Sequence, residues 1–167
     1  GRTGLSPRGL KPTMNSRVLL RIKRLFPERD ADIELPKLMS DQAAGMDVRA
    51  AVTEPLVLRP GDRAAVPTGL AMSVPPGAEI QVRPRSGLAI RHGVTVINSP
   101  GTIDSDYRGE VKILLANLGQ EDFTVERGMR IAQLVVSLLA RVETVEVETL
   151  DSTERGAGGF GSTGTVV

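Results

Sequence analysis

The fold is decided by residues 79–118, EIQVRPRSGLAIRHGVTVINSPGTIDSDYRGEVKILLANL, in which short apolar runs alternate with turn residues. The runs are rich in Val, Ile and Leu and about four to nine residues long, and Pro or Gly separates them at close intervals. The same pattern extends on both sides of this stretch. Many short strands with frequent turns are typical of β-barrels and β-sandwiches. We therefore predict an all-β fold.

Three segments outside this stretch complete the strand assignment. Residues 16–25 mix apolar and basic side chains with partial alternation and predict a first strand. Residues 129–142 carry apolar side chains on too many sides for an amphipathic helix, so we predict a buried strand. Residues 141–150 alternate Val with Thr and Glu, which predicts a half-exposed strand.

One short helix and one surface loop are also predicted. Residues 86–93 would form one or two helical turns, with Ser86 as the N-terminal cap and Gly93 as the stop. His92 would lie on the surface at the end of that helix. Residues 24–30, RLFPERD, read as a solvated loop.

The composition limits the chemistry that the chain can perform. Its 167 residues most simply form one domain, and only 2% of them are aromatic. The absence of Cys excludes disulfides, thiolate nucleophiles and Cys-based zinc sites, and a single His excludes a site with two His ligands. Catalysis would therefore rest on carboxylates, hydroxyls, amides and arginines.

The charge balance and hydropathy limit the partners. The chain has 21 basic and 20 acidic residues, which leaves no electrostatic footprint for nucleic acid or anionic membranes. No apolar run approaches the roughly 20 residues that span a bilayer, and residues 1–13 lack the apolar core of a secretory signal. We expect a soluble cytoplasmic protein.

Residues 98–111, NSPGTIDSDYRGEV, place two carboxylates beside an aromatic ring. If the segment is extended, Asp104 and Asp106 share one face and Tyr107 takes the other. The segment is either a polar turn with a solvated carboxylate pair, or a loop that pairs a water-activating carboxylate with an aromatic platform.

Three further positions are candidates for a polar site. Arg85, Ser86 and Gly87 could form an anion cradle, or simply a turn followed by a helix cap. Gln133 is a lone amide in an apolar run, so it either joins a structural network or points into a site. Asp47 lies in an apolar segment and needs a partner, for which we expect Arg85.

The C-terminal stretch RGAGGFGSTG, residues 155–164, contains five glycines and one Phe. Arg155 and the glycine amides could hold phosphate, Ser162 and Thr163 add hydroxyl donors, and Phe160 could stack on a base. The alternative is a disordered linker or fusion remnant. We expect three parts: an N-terminal extension over residues 1–15, disordered or left from expression, with Met14 as a natural start; a β-domain over residues 16–150; and a flexible arm over residues 151–167.

Taken in order, five segments resemble the five motifs of the trimeric deoxyuridine triphosphatase (dUTPase) family. They are AGMDVRA (44–50), PRSGLA (84–89), GTIDSDYRGEV (101–111), RIAQLV (130–135) and RGAGGFGSTG (155–164). The resemblance implies an antiparallel β jelly-roll, or β-clip barrel, that assembles as a homotrimer. It also implies active sites shared between subunits and a Gly-rich C-terminal arm that closes over a site formed by others.

The resemblance further implies Mg²⁺-dependent hydrolysis of dUTP to dUMP and pyrophosphate, which limits uracil in DNA and supplies dUMP for dTMP synthesis. The metal would be held mainly by substrate phosphates and water, without dedicated protein ligands. Asp104 would orient and deprotonate the water that attacks the α-phosphorus. Tyr107 would pack beneath the deoxyribose and exclude a 2′-hydroxyl, and Asn98 would read the uracil edge.

The remaining roles follow from the same resemblance. Ser86 would contact the oxygen between the α- and β-phosphates, and Gln133 would hold phosphate or water. Arg85 and Asp47 would form a supporting network. The other substrate-binding positions are Gly87, Thr102, Arg155, Phe160, Gly161, Ser162 and Thr163.

Two other functions compete with this interpretation. A dCTP deaminase-like enzyme has a similar fold but would need an added acid–base group near C4 of the base, for which we find no matching segment. A non-catalytic deoxynucleotide-binding β-domain would bind without turnover, or carry a substituted Asp104, and Asp104 is intact. A generic β-sandwich interaction module would not explain the arm.

Overall fold

The computed structural model describes residues 17–164, in which β-strands and one short helix are the regular elements. The expected N-terminal extension, residues 1–15, and residues 165–167 lie outside the described part. Among residues 17–164 the structure contains no helix with the length and apolar composition of a membrane span. The elements in chain order are β1 (Arg21–Arg24), β2 (Met46–Arg49), β3 (Leu56–Leu58), β4 (Arg63–Pro67), β5 (Leu70–Ser73), β6 (Ala78–Arg83), α1 (Ser86–His92), β7 (Val94–Val96), β8 (Gly101–Ile103), β9 (Lys112–Asn117), β10 (Phe123–Val125) and β11 (Arg130–Leu138).

The strands of the described part form small antiparallel sheets. The largest has the order β2–β11–β6–β8, and a second has the order β4–β9–β7. The pairs β1–β5 and β3–β10 complete the arrangement. The prediction of an all-β fold is therefore confirmed, with antiparallel sheets throughout these pairs.

The core is aliphatic, as the low aromatic content requires. Strand β6 shows how the sequence builds it: Ala78, Ile80 and Val82 are buried and alternate with Gln81 and Arg83, which face outward. This alternation is the period of a half-buried strand. Burying one strand face in this way places the opposite, polar face where a site can form.

Most of the predicted strands are present. Residues 16–25 give the shorter strand β1, and residues 129–142 give β11 rather than a helix. The strand predicted over residues 141–150 is wrong for this chain, because those residues pair with no described strand and are all exposed. Alternation of side chains specifies two faces of a strand, but it does not supply the partner that a strand needs.

The helix lies where the sequence predicts it, with a different start. It ends at Gly93, which has a φ of 66° and donates its N–H to Ala89 O. Ser86 is not the N-terminal cap; Arg85 is, in an extended conformation and with no capping side-chain hydrogen bond. The backbone turns one residue earlier than predicted, where the Arg85 side chain pairs with Asp47.

The prediction of a solvated loop over residues 24–30 is wrong at Asp30, which is 1% exposed. Its carboxylate accepts from Arg29 Nη2 at 2.8 Å and from Arg127 Nη2 at 3.1 Å. The hydrogen bond from Arg29, followed by that from Arg127, holds the pKa of Asp30 below its ordinary value. A Cβ on Gly69 would lie 2.3 Å from Asp30 Oδ2, so this carboxylate packs directly beneath the turn between β4 and β5.

Replacing Asp30 with Asn should lower the free energy of unfolding at neutral pH by about 1–3 kcal/mol, because two charge-assisted hydrogen bonds lose their anion. The lowered pKa means that the contribution of this carboxylate is complete above its unfolded-state pKa and is lost as the pH falls through the folded-state value. The difference between the two proteins should therefore disappear in acid. Urea unfolding at fixed protein concentration, at neutral pH and below a pH of about 3, measures both effects.

Asp32→Asn is the matched control, because the exposed Asp32 pairs with the same arginine. It should change stability less than Asp30→Asn. Equal effects of the two substitutions, or a difference that persists unchanged in acid, would contradict the role of the buried carboxylate.

Candidate active site

A cleft of about 250 Å³ opens beside the segment that joins β8 to β9. Its apolar lining includes Val82 of β6, Val96 of β7 and Leu114 of β9. Four of the side chains predicted for substrate binding or catalysis line the same cleft: Asn98, Thr102, Asp104 and Tyr107. An apolar cleft with a few convergent polar groups is the usual form of a small-molecule site.

The turn that follows β8 brings the Asp104 and Tyr107 side chains to the same cleft. Tyr107 N–H donates to Asp104 O at 3.1 Å, which reverses the chain between them. Asp104 and Tyr107 consequently line one cleft, whereas Asp106 does not. The expectation that the two carboxylates share a face is wrong, because it assumed an extended segment.

The Asp104 carboxylate is available for chemistry. The residue is exposed, and within residues 17–164 its side chain takes part in no hydrogen bond or ion pair. A free carboxylate at the rim of a cleft can accept a proton from a water molecule held there. The Tyr107 hydroxyl is by contrast engaged, since it donates to Glu110 O at 2.9 Å.

A second group, which we call the β11 group, lies around the central strand of the largest sheet and consists of Asp47, Arg85, Ser86, Gly87 and Gln133. Gln133 on β11 lies opposite Asp47 on β2 and opposite Arg83 on β6. Residues directly opposite in an antiparallel pair share one face of the sheet. The three side chains therefore project from the same side.

Contacts within the β11 group connect it to the start of α1. Arg85 Nε donates to Asp47 Oδ1 at 3.1 Å, which confirms the predicted ion pair. Arg130 Nη1 lies 3.5 Å from Asp47 Oδ2. The Gln133 amide donates to Pro84 O at 3.1 Å, so it has a structural partner, and its role in binding stays a prediction. The network fixes the chain just before Ser86.

Helix α1, which carries Ser86 and Gly87, has no fully buried residue. Its C-terminal end rests on the turn that follows β9: Leu118 N–H donates to Gly93 O at 2.8 Å, and the His92 ring lies 5.2 Å from that of Phe123. His92 is exposed at the helix end, as predicted. The position of Ser86 therefore depends on contacts at both ends of the helix.

Asn117 organises that turn and was missed from the sequence. The residue is fully buried, and its amide donates to Leu58 O and Glu121 O at 2.8 Å each. Its carbonyl oxygen accepts from Gly119 N–H at 2.9 Å. The signal was the one used for Gln133, a lone amide at the end of an apolar run.

The described part of the predicted arm, residues 151–164, contains a third group of candidate site residues, separate from those of the cleft and the β11 group. Its residues from 151 to 164 are exposed or half-buried, and Phe160 is fully exposed. Arg155 Nε donates to Gly158 O, and the other hydrogen bonds of the described arm likewise stay within it. The predicted residues Arg155, Phe160, Gly161, Ser162 and Thr163 therefore do not line the cleft in this chain.

Two charged residues of the cleft were not predicted as site residues. Glu110 and Lys112 line it at the start of β9. Glu110 lies near the end of the segment 98–111 and Lys112 directly follows it, but their residue types alone gave no signal. Within residues 17–164 no group of three or more His, Asp or Glu side chains could hold a metal ion.

A protein-family model and two curated relatives each match most of this chain. The protein-family model described as dUTPase matches residues 31–164. A deoxyuridine 5′-triphosphate nucleotidohydrolase of Rhizobium leguminosarum bv. trifolii is 57% identical over 157 residues, which cover 93% of this chain and 96% of that protein. One from Caulobacter vibrioides is 57% identical over 147 residues, covering 87% and 94%.

Two solved structures are similar to this chain over most of its length. A mutant dUTPase of Staphylococcus bacteriophage 80alpha with dUpNHpp has a TM-score of 0.76 at 27% identity, covering 87% of this chain and 98% of that one. Another structure of the 80alpha dUTPase, also with dUpNHpp, has a TM-score of 0.73 at 28% identity and the same coverage.

Gly119→Ala should loosen α1, because a Cβ at this position would lie 2.2 Å from His92 O. A backbone atom cannot yield as a flexible side chain does, so the turn or the end of the helix must move. We expect a loss of about 1–3 kcal/mol of stability and faster amide hydrogen exchange over residues 86–93. Gln120→Ala, which changes an exposed side chain of the same turn, is the control. Unchanged exchange over residues 86–93 in Gly119→Ala would contradict the idea that this turn supports the helix.

Proposed function

The chain belongs to the dUTPase family, and from this premise we propose how its residues hydrolyse dUTP to dUMP and pyrophosphate. The observation that carries the proposal is the pairing of a free carboxylate, Asp104, with the Tyr107 ring in one cleft. Phosphoanhydride hydrolysis needs a positioned water and a stabilised leaving group rather than a covalent nucleophile. A chain without Cys and with a single exposed His is suited to that chemistry.

The cleft is the subsite for the deoxyuridine part. The Asn98 amide offers a donor and an acceptor, which matches the mixed donor and acceptor edge of uracil. Val82 and Val96 give an apolar lining, and the Tyr107 ring packs beneath the deoxyribose. A hydroxyl at the 2′ position would meet this ring, so ribonucleotides are disfavoured relative to deoxyribonucleotides.

Asp104 acts as the general base. Its carboxylate accepts a proton from a water molecule as the water oxygen forms a bond to the α-phosphorus. The bond from the α-phosphorus to the bridging oxygen breaks, and pyrophosphate leaves with the electron pair. The absence of a competing partner for Asp104 among the described residues supports this role.

The β11 group binds the triphosphate of a substrate held by a neighbouring subunit. Ser86, Gly87 and Gln133 do not line the cleft of their own chain, yet a triphosphate attached to the bound nucleoside needs donors of this kind. Assembly of the antiparallel β-domain, a jelly-roll over residues 16–150, as a homotrimer would bring one subunit's β11 group to the next subunit's cleft. Arg85 and Asp47 keep this group in place.

The arm, residues 151–167, closes the site. Phe160 is fully exposed in the free chain and stacks on the uracil when substrate is bound. Arg155, Ser162 and Thr163 bind the outer phosphates, and Gly161 allows close approach of the backbone. Glycines make such wrapping possible because they place no side chain between backbone and ligand.

Magnesium fits this donor set as a substrate-bound ion. Mg²⁺ prefers phosphate oxygens and water and seldom needs a cage of protein ligands. When bound, the ion neutralises charge on the triphosphate and the departing pyrophosphate. The protein's own part is to hold the nucleoside, the phosphates and the attacking water.

Asp104→Asn should reduce pyrophosphate release from dUTP to near background while largely preserving dUTP binding, because the amide cannot take the proton. Asp106→Asn is the matched control, since Asp106 lies in the same turn but outside the cleft. The assay uses dUTP, dCTP, dTTP and UTP with Mg²⁺, and the kcat/KM for dUTP should far exceed that for each of the other three nucleotides.

Several outcomes would contradict the proposal. Near-normal turnover by Asp104→Asn would remove that residue as the base. Ammonia released from dCTP would favour the deaminase-like alternative, for which Glu110 offers a second carboxylate in the cleft. Tight binding of dUTP without release of pyrophosphate from any nucleotide would leave a non-catalytic binding domain.

A further inference from the structure

We propose that Gly109 is a specificity-determining positioning residue, which sets the height of the Tyr107 ring and thereby the discrimination between dUTP and UTP. The inference rests on the proposed function, because it assigns the sugar subsite to Tyr107. The Tyr107 ring packs against Gly109. A Cβ on Gly109 would lie 2.5 Å from the Tyr107 hydroxyl oxygen, 2.7 Å from Cζ and 3.1 Å from Cε2.

The ring therefore lies directly on the backbone of Gly109, and one hydrogen bond of its hydroxyl and one of the Tyr107 backbone hold it in this position. The Tyr107 hydroxyl donates to Glu110 O at 2.9 Å, and its backbone N–H donates to Asp104 O at 3.1 Å. The ring cannot move closer to the chain, and any side chain at position 109 would lift it away.

The backbone beneath the ring is itself anchored to the protein body. Glu110 Oε2 accepts from Gly69 N–H at 3.2 Å, and Val111 N–H donates to Leu70 O at 2.8 Å. The Thr68 hydroxyl donates to Val111 O at 2.6 Å. These contacts tie the residues after Gly109 to the turn between β4 and β5. A substituent at position 109 is consequently accommodated by moving the ring, the far end of a flexible side chain, rather than the backbone.

Position 109 favours glycine because the Tyr107 ring leaves no room for a side chain, and not because the backbone conformation there requires glycine. The φ of Gly109 lies outside the left-handed range, in contrast to that of Gly69 at 67° or Gly93 at 66°. Alanine can therefore occupy this position without backbone strain. Gly109→Ala is for that reason a probe that displaces the ring without the usual cost of replacing a glycine in a turn.

The consequence for specificity follows from the size of the cleft. In a space of about 250 Å³, a ring displaced by a methyl group no longer matches the face of the deoxyribose. Because dUTP gains most from the match between the ring and the deoxyribose, its kcat/KM falls most. The ring in its original position already disfavours UTP, so the kcat/KM for UTP falls little. The ratio of kcat/KM for dUTP over UTP therefore falls.

The test compares wild type, Gly109→Ala and Ser105→Ala with dUTP and UTP as substrates. In Gly109→Ala we expect the ratio of kcat/KM for dUTP over UTP to fall by about tenfold or more, mainly through a higher KM for dUTP. Ser105→Ala changes a hydroxyl of the same turn that makes no hydrogen bond within residues 17–164, and should leave the ratio unchanged.

A second measurement follows the ring without any substrate. The chain contains one Tyr and no Trp, so tyrosine fluorescence and the NMR signals of the tyrosine ring report on Tyr107 alone. In wild type the ring protons should show a nuclear Overhauser effect to the Gly109 α-protons. In Gly109→Ala the ring signals should shift, and in Ser105→Ala they should not.

A shifted ring signal together with a reduced ratio supports the proposal. An unchanged ratio overturns it, whether or not the ring signal moves, and an unchanged ring signal overturns it even if the ratio falls. Absence of dUTP turnover in wild type would be a failure of the proposed function instead. The ring signal would then still decide separately whether Gly109 seats Tyr107.

Discussion

The double pairing of β11, with β2 on one side and β6 on the other, is the constraint on which the rest of the site depends. It places Gln133 between Asp47 and Arg83 and fixes the chain at Pro84, just before Ser86. A register slip of one residue would turn Gln133 into the core and buried Leu134 outward. The buried Leu134 and the polar β11 group are therefore set by the same hydrogen-bond ladder.

The two other groups are positioned in different ways. The turn from Asp104 to Tyr107 is short and anchored through Glu110 and Val111, which suits the proposed subsite because such a subsite must discriminate by size. The arm makes hydrogen bonds only within itself among its described residues, which suits a segment that binds after the substrate. In the proposed function, rigid elements thus select the nucleoside, and the least anchored segment closes over the phosphates.

The sequence predicted what depends on local pattern. Alternating apolar residues located β6 and β9, Gly93 marked the end of α1, and the need to pair a half-buried carboxylate identified the ion pair between Asp47 and Arg85. It failed where distant residues decide. Burial of Asp30 requires Arg127 from far along the chain, and the strand expected over residues 141–150 requires a partner that this chain does not offer. The motif resemblance named candidate site residues, and only the structure showed the turn that brings Tyr107 and Asp104 to one cleft.

We infer that one functional site draws on more than one chain, and complementation between two inactive variants is the decisive experiment. One variant is the full chain with Asp104→Asn; the other keeps Asp104 but ends at Glu154, before the arm residues proposed to bind phosphate. Each should be inactive alone. After co-refolding, with mixed oligomers verified by native mass spectrometry, an intact arm can close over an intact cleft of another subunit, and we predict that dUTP hydrolysis returns. Mixed oligomers that remain inactive would contradict the shared site.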